Sequence, residues 1–217
     1  MRSLFYCIAV ISSIAGVTAL HADDTSLTLF NGKDLTGFRF VLQNTDGIPA
    51  KEWFVRDGLI VVAGKQVGYL MTEKSYTEYT LSFQWKYVRP EGLESDEAFT
   101  GNSGLLLHIQ PPYHVWPTAI EYQLLYGDAG NTFGIGSQFA GKLDKAKQKT
   151  AMKPVGEWNT SEVTVSLVPN GKGAKTSKIV SRLNGVEICT GEGNLTAGPI
   201  GWQSDGAELH LRNLQIR

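Results

Sequence analysis

The residues best suited to chemistry fall in two short runs. The first is Gly101-Asn102-Ser103-Gly104-Leu105-Leu106-Leu107-His108-Ile109-Gln110, and the second is Ala119-Ile120-Glu121-Tyr122-Gln123-Leu124. Read as strands, their alternation sends Ser103, Leu105, Leu107 and Ile109 to one side and Asn102, Gly104, Leu106, His108 and Gln110 to the other. In the second run Ile120, Tyr122 and Leu124 oppose Glu121 and Gln123. With the apolar sets packed inward, Asn102, His108, Gln110, Glu121 and Gln123 face outward together. An imidazole, a carboxylate and three amides on one sheet face suit a polar, uncharged ligand. Glu121 carries the most weight, because a mid-sheet carboxylate is costly unless it is wet, paired or functional.

The rest of the chain must supply the frame, and it reads as strands. Tyr79 to Val88 alternates Leu81, Phe83, Trp85 and Tyr87 against Ser82, Gln84 and Lys86, the pattern of a central strand with one wetter side. Asp57-Gly58 and Asn184-Gly185 sit between extended runs and predict tight hairpins. Val163 to Leu167 and Glu208 to Ile216 add further strands, with a bulge expected at Arg212-Asn213. Phe133-Gly134-Ile135-Gly136 is too glycine-rich for a regular strand throughout and is expected as a loop beside the polar face. Only the lysine-rich stretch ending at Met152 has helical potential. Short strands with regular turn signals predict an all-β protein, a two-sheet antiparallel β-sandwich of the jelly-roll kind.

Composition narrows the class. The chain has 217 residues, 42% of them hydrophobic, and a net charge of −1, so it can build one core and offers no general attraction to nucleic acid. The lysines between Lys142 and Lys153 read as a solvated loop. Residues 1–22 read as a signal peptide: Arg2, an uncharged apolar run from Leu4 to Val17, then small residues that allow cleavage after Ala19 or Ala22. The run is shorter than the ~20 residues of a spanning helix, so export to the periplasm or medium is expected, with no membrane span in the mature chain. Residues 23–217 then form a single domain. Cleavage leaves Cys189 as the one cysteine, which excludes an internal disulfide and reads as a packed thiol.

Six short motifs in order, Leu29 to Leu35 (Leu-Phe-Asn-Gly-Lys-Asp-Leu), Asn102-Ser103-Gly104, Glu121-Tyr122-Gln123, Gly156-Glu157-Trp158-Asn159, Leu183-Asn184-Gly185 and Leu211-Arg212-Asn213-Leu214, resemble the 3-keto-disaccharide hydrolase domain family. The resemblance spans nearly the whole mature chain. It implies a concanavalin A-like sandwich and cleavage of a disaccharide already oxidised at C3. The ketone acidifies the C2 hydrogen, so removing that proton, expelling the C1 substituent and adding water gives net hydrolysis. Such a site needs a base, an oxyanion stabiliser and an acid. Glu121 and His108 are the expected base and acid in either order, with Lys153, Arg212 or a bound metal facing the enediolate. Asn102, Ser103, Gln123, Gln84, Trp85, Glu157 and Arg212 are the expected substrate-binding residues. No cofactor is expected, a divalent metal and the oligomeric state being left open.

The alternative is a lectin-like module that binds sugar without chemistry, using Trp85, Tyr113, Trp116 and the amides. Other hydrolase classes lack their signals. The histidines show no metal-ligand spacing, no Gly-x-Ser-x-Gly elbow occurs, and Glu121 has no acidic neighbour two or four positions along its strand.

Overall fold

The computed structural model describes residues 26–171 and 173–217. The segment read as an export signal lies outside them. Among the described residues no helix is long and apolar enough to cross a membrane. Fifteen strands follow in order: β1 (Leu27–Thr28), β2 (Phe38–Leu42), β3 (Trp53–Arg56), β4 (Leu59–Val62), β5 (Gly68–Thr72), β6 (Tyr79–Tyr87), β7 (Gly104–Leu107), β8 (Ala119–Gln123), β9 (Thr132–Ile135), β10 (Phe139–Leu143), β11 (Asn159–Pro169), β12 (Lys175–Leu183), β13 (Val186–Gly193), β14 (Gly201–Ser204) and β15 (Leu209–Ile216). Two short helices interrupt them, α1 (Pro49–Glu52) and α2 (Lys145–Ala151).

Two antiparallel sheets result. The larger runs β10-β13-β12-β11-β6-β15-β4-β3, with β1 also on β15, and the smaller runs β2-β5-β14-β7-β8-β9. This is the predicted two-sheet antiparallel sandwich. Alternation in β6 sends Leu81, Phe83, Trp85 and Tyr87 into the shared core, where they meet Leu105, Leu107, Ile120, Tyr122 and Trp202 of the smaller sheet. Ser161 ties the two layers together, accepting Trp85 Nε1 at 2.9 Å and meeting the Tyr122 hydroxyl at 2.8 Å. Those bonds let two polar aromatic tips be buried without an unsatisfied donor.

The turn chemistry follows the sequence. Asp57 and Gly58 both take positive φ, 53° and 73°, as do Asn184 and Gly185 at 50° and 84°, and each pair closes a two-residue hairpin. The bulge in β15 is present, with the register shifting between Arg212 and Gln215 and Asn213 at φ 54°. The lysine-rich stretch forms α2, capped by Asp144 accepting from Lys147 N.

One expectation fails. Phe133-Gly134-Ile135 is not a loop but most of the edge strand β9, paired to β8 with Phe133 opposite Glu121. An edge strand needs only one ladder, and Gly134 serves the sharp return after it: a Cβ there would lie 2.3 Å from the Ser137 carbonyl oxygen.

Candidate functional site on the outer face of the smaller sheet

Antiparallel register places the candidate residues in rows across this face. Gly201, Leu106 and Glu121 lie side by side, Gln203 and Gln123 fall in the next row on either side of Gly104, and Asn102 bridges to Asp205 in the row after that. Gly104 leaves a notch in the middle. The Glu121 carboxylate leans into it and Gln203 Nε2 donates to Glu121 Oε2 at 3.3 Å. A Cβ on Gly104 would stand 2.4 Å from Glu121 Oε1 and 2.5 Å from Gln203 Oε1, so only glycine admits this arrangement.

Glu121 is 4% exposed and Gln203 3%. Burial pushes the Glu121 carboxyl up to about 7, against the Gln203 hydrogen bond and with help from the Asp205 charge. Gln203 Oε1 and Asn102 Oδ1 are buried and have no hydrogen-bond partner among the described residues. The Oε1 atoms of Glu121 and Gln203 both face the space that a Gly104 Cβ would fill, where a neutral Glu121 carboxyl has a proton to donate and the Gln203 amide oxygen can only accept. Asp205 is more open and accepts Asn102 Nδ2 at 2.6 Å. The face therefore carries two carboxyl groups in unlike environments, one buried and one hydrogen-bonded near solvent.

Supports hold this geometry from below. Gln123 Oε1 accepts from Leu124 N and Leu125 N, both at 2.8 Å, and so fixes the turn out of β8 rather than offering its oxygen to a ligand. Ser103 Oγ donates to the Gln203 carbonyl at 2.8 Å, beneath the face. Glu52, fully buried, accepts Lys65 N, Gln66 N and the Ser204 hydroxyl, anchoring β14 between Gln203 and Asp205.

His108 is not beside Glu121. It takes φ 52°, which reverses the strand alternation: Ile109 joins Leu106, Met71 and Ala119 on the outer face, and the imidazole turns inward against Tyr79, 5.8 Å between ring centroids. Its Nδ1 lies 3.0 Å from the Leu195 carbonyl, and burial lowers its pKa, favouring a neutral ring. Gln110 likewise turns to backbone, its amide donating to His108 O and Ala197 O. Trp85 is wholly buried and presents no face to a ligand.

Gln84 and Arg212 belong to the opposite outer face, on β6 and β15 of the larger sheet. Arg212 Nε donates to Gln84 Oε1 at 2.8 Å and its guanidinium stacks on Trp158 at 4.0 Å. Lys153 stays with that group, its ammonium donating to Trp158 O at 3.1 Å, and Glu157 is exposed next to Trp158. Two stacked sheets separate this cluster from Glu121, roughly 10 Å of packed core plus the outward side chains. The predicted residues thus divide into two groups that cannot touch one small substrate.

Sequence reading missed Gln203, Asp205 and Glu52. The signal for the first two was the run Gly201-Trp202-Gln203-Ser204-Asp205, whose alternation around a core tryptophan points Gln203 and Asp205 outward. No group of three or more His, Cys, Asp or Glu residues converges among the described residues in a way that could hold a metal ion.

A jelly-roll sandwich with a buried acid and amides on one sheet face fits carbohydrate-directed proteins. The sequence profile of the 3-keto-alpha-glucoside-1,2-lyase-like domain family matches residues 25–217, and the chain belongs to that family. No curated protein sequence matches it. Two solved structures share the fold, both of a "putative glycosyl hydrolase" from Parabacteroides distasonis ATCC 8503. One is 23% identical with TM-score 0.61, covering 88% of this chain and 93% of its own, and the other is 17% identical with TM-score 0.59, covering 89% and 99%.

Proposed function

We propose that the protein cleaves 3-keto-disaccharides or 3-keto-glycosides by elimination across C1 and C2, with water addition completing hydrolysis, at the Glu121 face. The observation that carries this reading is the notch over Gly104, where a buried carboxyl, raised to about 7, meets an amide oxygen with no other donor. The family name supports the same chemistry, since a 1,2-lyase acting on a 3-keto-glucoside breaks the C1–O bond by elimination.

In this mechanism Asp205 takes the C2 proton, the electron pair forms the C1=C2 double bond, and the C1–O bond breaks. Neutral Glu121 gives its proton to the departing oxygen and becomes a carboxylate. Addition of water across the double bond then yields the free 3-keto-sugar and restores both protonation states. Two carboxyl groups held in unlike environments can serve as acid and base at one pH. Asn102 holds Asp205 through its Nδ2 and Gln203 holds Glu121 through its Nε2, which keeps base and acid in place. The Glu121–Asp205 pair takes the place of the expected Glu121–His108 pair, and Lys153 and Arg212, held at Trp158 on the other sheet, take no part.

One observation favours binding without chemistry. Trp116 is 48% exposed with φ 60°, unusual for a bulky residue, and Tyr113 stands on the same loop with Arg39 over its ring at 5.0 Å. Such aromatics suit a sugar-stacking surface. The test is release of free sugar from 3-keto-disaccharides and from their unoxidised parents, with and without a chelator. Cleavage confined to keto forms supports elimination; binding of both without cleavage supports the lectin-like module. Export, as expected from the sequence of residues 1–22, would suit an enzyme working on glycans outside the cytoplasm.

A further inference from the structure

At one end of the sandwich, away from the Glu121 notch, a cleft of about 430 Å³ opens between the turn after β8 and α2. Phe99, Tyr126 and Met152 give it an apolar wall, with the Phe99 and Tyr126 rings 6.0 Å apart and nearly perpendicular. Gln148 lines it from α2. This residue is 4% exposed, and its side-chain amide can both donate to and accept from a ligand in the cleft.

The charges around the cleft are already neutralised. Asp96 is paired to Arg89 at 2.5 Å, Lys145 is paired to Asp128, and the remaining Glu97 and Lys149 have opposite signs. An ion gains nothing here that these pairs do not already provide. An aromatic wall and an amide able both to donate and to accept match a polyhydroxylated ring. We propose that this cleft is a second carbohydrate site, taking an uncharged sugar unit of an oligosaccharide independently of the Glu121 notch. It goes beyond the catalytic reading and does not depend on it.

The test uses isotope-labelled mature protein carrying Glu121→Gln, titrated with maltotriose and cellotriose while backbone amide resonances are followed. Saturable shifts at Gly127, Gln148 and Lys149 are expected. Gln148→Leu should weaken that binding about tenfold, the loss of one or two neutral hydrogen bonds. Gly127→Phe gives a second probe should the leucine variant not fold: a Cβ at Gly127 meets nothing within 4 Å, so the new ring can fill the cleft, and it should abolish the shifts. Absence of shifts at these residues with either sugar, or binding unchanged in folded Gln148→Leu or Gly127→Phe protein, overturns the proposal.

Discussion

Gln203 donates its side-chain amide to the Glu121 carboxyl at 3.3 Å across the bare backbone of Gly104. The contact joins β14 to β8 over the intervening β7, and it depends on the one residue type that leaves room for it.

Gly104→Ala is therefore expected to disable the site. The methyl would collide with both Oε1 atoms and with Glu121 Cδ, 2.8 Å away, forcing the acid out of the notch. Overpacking of this kind costs about 1–3 kcal/mol. Activity on a 3-keto-disaccharide should drop at least about tenfold with the melting temperature lowered, as steady-state kinetics and a thermal scan would show. Wild-type turnover in the alanine variant would contradict the notch geometry.

The Glu121 carboxyl links stability to pH. Its pKa rises from 4.5 in the unfolded reference to about 7 in the fold, so the folded state holds the proton more tightly. Stability from this group is full below about 4.5, falls as pH climbs towards 7, and stays reduced above it. Full realisation of such a shift is worth about 3 kcal/mol. Glu121→Gln should melt higher than wild type at pH 8, and the gap should close at pH 4.5. A constant gap across that range would mean the carboxyl is not perturbed.

The same titration governs rate. As the general acid, Glu121 must be protonated, so turnover should decline as pH rises through about 7. Glu121→Gln should cost about 10²–10⁴ in turnover, the usual worth of a positioned proton carrier. Turnover that instead rises through pH 7 would assign Glu121 as the base.

His108, Lys153 and Arg212 supply the contrasting case. His108→Ala removes a ring from the core beside Tyr79 and should lower the melting temperature while the catalytic rate of the folded enzyme stays within about twofold. Lys153→Ala and Arg212→Ala alter the Trp158 cluster on the other sheet, and both should keep wild-type turnover. A large loss of turnover in folded Lys153→Ala would place the chemistry on the wrong face.

How far the sequence could be read depends on what each signal encodes. Alternation in β6 and β8, together with the Asp57-Gly58 and Asn184-Gly185 turns, fixed the sandwich because side-chain period and turn type are local properties. Glu121 was legible for the same reason. His108 was misplaced because alternation holds only while φ stays negative, and the reversal at φ 52° is set by the chain beyond it, where Ile109 N bonds Pro199 O. Gln84 and Arg212 were outward as expected, but alternation does not say which of two sheets owns an outward residue. Gln203 and Asp205 reach Glu121 only through the pairing of β14 with β7, a contact about a hundred residues apart in sequence and invisible to local pattern.

The measurement that tests the central claim most directly is the identity of the first product from a 3-keto-disaccharide, followed by NMR at early times with wild-type and Asp205→Asn protein. Elimination at the Glu121 face predicts a C1=C2 unsaturated keto-sugar before the hydrated product, deuterium at C2 when the reaction runs in heavy water, and no cleavage of the unoxidised parent; Asp205→Asn should lose both the intermediate and the deuterium. Direct appearance of a saturated sugar that retains its original C2 hydrogen, or equal cleavage of the unoxidised parent, would contradict it.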